Sequence, residues 1–249
     1  MELNELVVVT MTRIQSAEDA AILIDSLQAL AAHNVPLIVA HSGDSPAFLA
    51  DLRALPNTRV LSISEDGLYA QMRAAFAEAY ASRKPYILYT EPDKKGFFQD
   101  LLATFLGQVP PQVGVAVASR NDEALRTFPR FQQYTESTAS KLAYELTGYD
   151  GDAIYGPLLF SRDFCQYLDR LPTAIGWGWR LFLITLCARL KAPLVYIPLA
   201  GVCPRHQQAE DQPADRIYRI RQLDANIQGM LLGASIALDT ESLQRSPED

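Results

Sequence analysis

Pro85–Lys95 reads PYILYTEPDKK, and the interpretation of this stretch decides the fold. Tyr86, Ile87, Leu88 and Tyr89 form a short apolar run behind a proline, the pattern of a buried central strand. Pro92 has no N–H and disfavours helix at Glu91, so the strand ends there. Glu91 and Asp93 then stand on a loop at the strand's carboxyl end, the edge at which open α/β sheets bind ligands. Two hard oxygen donors in that place could hold Mg²⁺ or Mn²⁺ against a diphosphate. A small divalent ion takes one or two carboxylates and fills its remaining sites with substrate oxygens and water. The plainer alternative is an acidic turn neutralised by Lys94 and Lys95.

Upstream of this strand the chain alternates regularly. Leu6–Met11 is a β-branched run, hence a buried strand. Ser16 caps a helix with Glu18 and Asp19 in its first turn. Pro36–Ala40 is a second strand ending in the polar loop His41–Asp44, and Ser45 and Pro46 open a short helix. Arg59–Ile63 is a third strand, and Asp66 and Gly67 turn into a strong helix, Leu68–Ser82. This β-α order predicts a mostly parallel sheet with helices on both faces.

Downstream, the pattern predicts a helix over Gly96–Gly107 and a strand over Gly114–Ser119. A mobile loop is expected over Asn121–Tyr134, which carries Arg120, Arg126 and Arg130 on or beside it. Helix is then predicted over Thr135–Leu146, a Gly-rich crossing over Tyr149–Leu159, and helix again over Ser161–Leu171. IGWGWR, Ile175–Arg180, brings two tryptophans between glycines ahead of a helix and a strand, Leu181–Leu190 and Pro193–Pro198. A long amphipathic helix follows from Asp215 to Leu238, and a frayed tail is expected after it.

The 249 residues are enough for a real core. A formal charge of −7 argues against a broad basic surface for nucleic acid. The three cysteines, Cys165, Cys187 and Cys203, lack a CxxC spacing and read as free thiols of a reducing compartment. The start of the chain lacks a signal-peptide pattern, and Leu181–Ile197 is broken by Arg189, Lys191 and Pro193, so no membrane span is expected. A cytoplasmic protein is the expectation.

With that element order in hand, the chain resembles nucleotide-sugar glycosyltransferases of the GT-A fold, in particular the glucosyl-3-phosphoglycerate synthase and mannosylglycerate synthase group. The likeness runs from Leu6 to about Met230. VVVTMTR resembles the opening strand that meets the nucleotide base, which implies a pocket lined by Thr10, Met11 and Thr12 with Glu18 nearby. LIVAHSGDS resembles the strand whose end usually carries an Asp toward the base; His41 stands there instead. ILYTEPDKK resembles the Asp-x-Asp metal motif, with Glu91 for the first Asp and Asp93 for the second. GVCPRHQQ resembles the loop that completes the metal site, which implies His206 as a further ligand of Mn²⁺ or Mg²⁺.

EDGLYAQMRAAF resembles the Gly-Lys-Gly turn and helix that hold the donor. Gly67 is kept and Leu68 replaces the lysine, leaving Arg73 as the cation for the diphosphate. YTESTASKLAYELTGYDGDAIYGPLLF resembles the acceptor site, implying Thr135, Glu136 and Gly156 there, with Trp177 and Trp179 stacking on a sugar or filling the core. Gln132 and Gln133 stand where phosphoglycerate-using members carry Gly-Arg. A neutral polyol, a sugar or a simple carboxylate is therefore the expected acceptor rather than phosphoglycerate. No carboxylate lies between Asp169 and Arg180, where inverting relatives carry a base, which agrees with a retaining mechanism.

The resemblance implies one α/β domain: a nucleotide-binding half over 1–107, an acceptor-binding half over 108–206, and a C-terminal helix and tail over 207–249. It implies hexose transfer from a UDP- or GDP-sugar to a small polar acceptor. Two alternatives stand beside it: a degenerate, non-catalytic member that binds a nucleotide or a partner, and a sugar nucleotidyltransferase. The last helix, with Ile217, Ile220, Leu223, Ile227, Met230 and Leu231, could pack on a second subunit as readily as on its own sheet.

Overall fold

The computed structural model describes residues 1–65, 67–204 and 207–238. Seven strands form one sheet in the order β3-β2-β1-β4-β6-β5-β7. They are β1 (Leu6–Thr12), β2 (Leu37–Ser42), β3 (Thr58–Ile63), β4 (Tyr86–Tyr89), β5 (Val115–Arg120), β6 (Leu158–Ser161) and β7 (Leu194–Leu199). β1 pairs in parallel with β2 and β4, β2 with β3, and β5 with β7. Only β6 runs against its neighbours, β4 and β5. The mostly parallel α/β sheet expected from the alternation is the one observed.

Both faces of the sheet are covered, because successive strand side chains point to opposite sides. Val7, Val9, Ile38, Ile87 and Tyr89 pack in one core, and Leu6, Val8, Val39 and Leu88 in the other. Helices α1 (Ala17–Ala31), α2 (Pro46–Ala54) and α3 (Leu68–Ala81) link the first four strands. Met72 and Phe76 of α3 belong to the first core, Leu27 of α1 and Phe48 of α2 to the second. Ser16 caps α1, its side chain accepting from the Asp19 N–H at 3.0 Å.

Beyond β4 the chain departs from expectation at three points. The helix after β4 opens with a π-type turn, Phe97–Leu101, before becoming α4 (Leu102–Gln108). The stretch expected as a loop holds a short helix, α5 (Asp122–Leu125), capped by Asn121, whose side chain accepts from the Ala124 N–H at 2.8 Å. Helix α6 then begins at Arg130 and runs to Thr147. Pro129 is its N-cap rather than a break within a loop; a fixed φ and a missing N–H cost nothing where no intrahelical partner exists. The helix expected over Ser161–Leu171 is a 3₁₀ turn, Arg162–Phe164, and a single α-turn, α7 (Cys165–Leu168).

Among the described residues the last two helices are α8 (Trp179–Arg189) and α9 (Pro213–Ser235). Every residue of α8 from Trp179 to Cys187 is buried. α9 crosses it at very short range because Gly178 and Gly229 face each other: a methyl on either would overlap the other helix's main chain. Gly233 repeats the approach against Phe182 O. Small residues at such a crossing allow one helix to seat fully on another. Ile217, Ile220 and Leu231 remain exposed, whereas Met230 is buried against the core. Among the described residues no helix is long and apolar enough to cross a membrane.

Candidate active site at the carboxyl end of the fourth strand

β4 ends at Tyr89, and Thr90–Asp93 turn away from the sheet. The turn delivers Glu91 and Asp93 to the wall of a cavity of about 230 Å³ that α6, α9 and the start of α8 enclose. Glu91 Oε1 accepts from Arg180 Nη1 at 2.7 Å. Its other oxygen, Oε2, is buried without a hydrogen-bond partner and lies against Gly156, where any Cβ would overlap the carboxylate. Gly156 also has φ +128°, a conformation that side chains rarely adopt. Asp93 Oδ2 accepts from Gln207 Nε2 at 2.7 Å. Lys94 sits between these acids, its ammonium 4.9 Å from the Tyr155 ring centroid. Burial alone would lower the Lys94 pKa, but the Glu91 and Asp93 carboxylates hold it above the ordinary lysine value.

The far wall rests on a buried charge cluster. Arg120, at the end of β5, donates from Nε to Asp152 Oδ2 and from Nη2 to Glu136 Oε2, the latter at 2.6 Å. Burial opposes its charge, yet Glu136 and Asp152 together raise the Arg120 pKa. Glu136 Oε1 accepts from Gln132 Nε2 at 2.8 Å, and Gln132 Oε1 accepts from Arg219 Nη2 at 2.8 Å. The network ties β5, α6, α9 and the Gly151–Gly156 loop to one another. Trp177 lines the same cavity and donates from Nε1 to the Tyr218 hydroxyl at 3.1 Å. Thr135 is also on the wall, its hydroxyl donating to Gln132 O at 3.1 Å.

A second cavity, of about 380 Å³, lies across Asp93 and Lys94 from the first and shares Phe128 and Tyr155 with it. Its other walls come from α1, through Ile22 and Ser26, and from the loop after β7, through Val202 and Pro204.

The residues that the resemblance assigned to a site do not all meet. Glu91, Asp93, Thr135, Glu136 and Trp177 line the first cavity, and Gly156 backs it through Glu91. Thr10, Met11, Thr12 and His41 are grouped apart, buried at the carboxyl ends of β1 and β2. Thr12 Oγ1 and His41 Nδ1 are 3.0 Å apart, and burial pushes the His41 pKa below its ordinary value against a main-chain hydrogen bond with Thr12. Gln71 covers this group, donating from Nε2 to Thr12 O at 2.7 Å and to Ala40 O at 3.0 Å. Glu18 is exposed in the first turn of α1, and Gly67 is the N-cap of α3 at φ +110°.

Two of the assigned residues lie away from the cavity. Trp179 does not face the cavity: it is fully buried, with its ring 4.7 Å from Tyr89 and 5.0 Å from Phe76 between centroids. Arg73 is solvent-facing, 3.9 Å from Asp169 and stacked near Tyr69, and lines neither cavity described above. His206 lies outside the described residues, as does Asp66. Lys94, Arg180, Arg219, Gln222 and Asn226 join the wall without having been expected there. A polar stripe at i, i+3, i+7 along α9, Arg219-Gln222-Asn226, was the available signal.

Among the described residues no three His, Cys, Asp or Glu side chains converge on one point. At the exit of β4 the carboxylates available to a divalent ion are Asp93 and Glu91. Each has one oxygen engaged, Glu91 Oε1 by Arg180 and Asp93 Oδ2 by Gln207; the second Glu91 oxygen is buried against Gly156, which leaves Asp93 the better placed of the two for an ion that takes few protein ligands.

A seven-stranded sheet of this order, with an acidic turn leaving its central strand into a polar cavity, defines a GT-A, nucleotide-diphospho-sugar transferase fold. No protein-family model and no curated protein matches the chain. Among solved structures, the chain is similar to glucosyl-3-phosphoglycerate synthase from Mycobacterium tuberculosis in complex with Mn²⁺, UDP and phosphoglyceric acid. That match has a TM-score of 0.64 at 16% identity and covers 94% of this chain and 80% of that one. The same enzyme in complex with Mg²⁺ and UDP matches with a TM-score of 0.60 at 18% identity, over 94% and 80% of the two chains. A further mycobacterial protein matches with a TM-score of 0.62 at 19% identity, over 94% and 76%. At such identities the likeness is one of fold.

Proposed function

We propose that this chain is a metal-dependent glycosyltransferase, of the retaining type, that moves a hexose from a nucleoside diphosphate sugar to a small polar acceptor. The observation that carries the reading is the exit of β4, which puts Asp93 and Lys94 on the boundary between two cavities. Asp93, with His206, would hold Mn²⁺ or Mg²⁺; the ion supplies positive charge to the departing diphosphate. Lys94, kept charged by its acidic neighbours, adds a fixed cation at the same place and takes the part first given to Arg73. Arg180 fixes the Glu91 carboxylate. Glu136 is committed through both oxygens to Arg120 and Gln132, so it is not a free base for the acceptor hydroxyl. This favours the retaining route.

A second reading has its own support. Gln71 occupies the main-chain acceptors of Thr12 and Ala40, groups at the strand ends where a base would otherwise find partners. That favours a non-catalytic member of the fold. Thermal shift with UDP and GDP, each with and without Mn²⁺, separates the two. Stabilisation that needs both nucleotide and metal is expected for the transferase. Metal-independent stabilisation, or none, would end that reading, and a preference for nucleoside triphosphates would point to a nucleotidyltransferase.

A further inference from the structure

The geometry points to an uncharged sugar ring as the acceptor bound in the 230 Å³ cavity; this rests on reading the chain as a glycosyltransferase. The volume is below the roughly 300–1,000 Å³ of drug-sized pockets, and suits a single ring.

Charge disfavours the anionic alternatives. Arg120 is saturated by Asp152 and Glu136, and Arg180 is paired with Glu91 at 2.7 Å. Arg219 is engaged by Gln132 at 2.8 Å and Gln222 at 3.2 Å, with Asp211 at 3.9 Å. Lys94 is on the wall beside Glu91 and Asp93, its ammonium 4.9 Å from the Tyr155 ring centroid. A phosphate or carboxylate entering this space would meet three carboxylates on the wall, Glu91, Asp93 and Glu136, and among the described residues Arg120, Arg180 and Arg219 are already engaged by acidic or amide partners. Drawing those guanidinium groups away would leave buried carboxylates unpaired, which is unfavourable.

Hydrogen-bond polarity points the same way. Asn226 and Arg180 are 4% and 5% exposed, line the cavity, and carry Asn226 Oδ1 and Arg180 Nε without a hydrogen-bond partner; Arg219 Nε is likewise unpartnered. The wall therefore offers an acceptor as well as donors. A hydroxyl satisfies both, whereas an ionised carboxylate or phosphate can only accept. Trp177, half-buried on the same wall and anchored through its Nε1 to Tyr218, provides the aromatic surface on which the apolar face of a sugar can rest.

Saturation-transfer NMR on the intact chain, with and without UDP and Mn²⁺, tests this with glucose, a neutral disaccharide, glycerate and 3-phosphoglycerate as probes. Transfer to a neutral sugar is expected, with affinity lowered about tenfold or more in Asn226→Ala and in Trp177→Ala and less in Trp177→Phe. Stronger transfer to glycerate or phosphoglycerate, no transfer to any sugar in either condition, or sugar affinity unchanged in both alanine variants would overturn the inference. Sugar binding in a protein that takes up no nucleoside diphosphate would uphold this assignment while ending the transferase reading.

Discussion

The Glu91 carboxylate and the Arg180 guanidinium meet at 2.7 Å, 89 positions apart in sequence, and join the exit of β4 to the first turn of α8. Their side chains are 18% and 7% exposed, so neither is solvated well enough to stand alone. The pair therefore sets the position of the acidic turn relative to the tryptophan-bearing segment 175–180. Its worth lies in that alignment more than in net stability, because desolvation offsets much of the attraction.

Removing one partner of this pair should be costly. Arg180→Ala is expected to destabilise the protein by about 3–5 kcal/mol by leaving Glu91 charged and buried, measured by urea denaturation. Adding Glu91→Gln to it should restore a large part of the loss. A double variant no more stable than the single one would mean that the two side chains act independently.

Asp93→Asn separates binding from folding. The amide can still accept from Gln207, so the unfolding midpoint should stay near that of the parent. Mn²⁺-dependent UDP binding, followed by calorimetry, should weaken by about tenfold or more, since a neutral amide is a poor ligand for a hard cation. His206→Ala is expected to have the same effect on the metal-dependent part alone.

The tryptophans should behave oppositely. Trp179→Ala empties a fully buried site beside Phe76 and Tyr89 and should cost about 3–5 kcal/mol of stability. Trp177→Ala should leave the midpoint nearly unchanged and lower acceptor use, read as a raised acceptor KM in a coupled diphosphate-release assay.

Gly229→Ala tests the helix crossing. The added methyl overlaps the main chain of Gly178, and overpacking of this kind costs about 1–3 kcal/mol or more. Because α9 carries Arg219, Gln222 and Asn226 to the cavity, acceptor affinity should fall together with stability. Nucleotide binding measured at low temperature should be much less affected.

His41 gives a pH dependence of known sign. Its pKa in the folded chain is below the ordinary 6.5, so on acidification the unfolded chain takes up a proton before the folded one does. Stability from this residue is whole above the ordinary value and is lost as the pH falls through the lowered one. His41→Asn should flatten the decline of stability between about pH 7 and pH 5, followed by chemical denaturation at each pH.

The sheet was legible because β-branched runs such as Leu6–Met11 have no other comfortable conformation, and the acidic exit because Pro92 stops both strand and helix. Pro129 misled for a physical reason: the same residue that breaks a helix interior opens a helix well, and only the following residues decide which. Trp179 was ambiguous because α8 is buried on every side, so no amphipathic period marks which way a residue points. The contribution of α9 was hidden because only its apolar positions carried a signal, and nothing local gave Arg219, Gln222 and Asn226 a partner surface. A polar stripe on a helix and a polar ligand wall look alike until the partner surface is known.

Glu91 and Asp93 leave the end of β4, whereas Arg219, Gln222 and Asn226 come from α9, far along the chain. The cavity is thus closed by contacts of long sequence separation, which form late in folding. With α9 not yet seated against Gly178, the sheet and the acidic turn could already be in place while Trp177 and Arg180 faced an open trough.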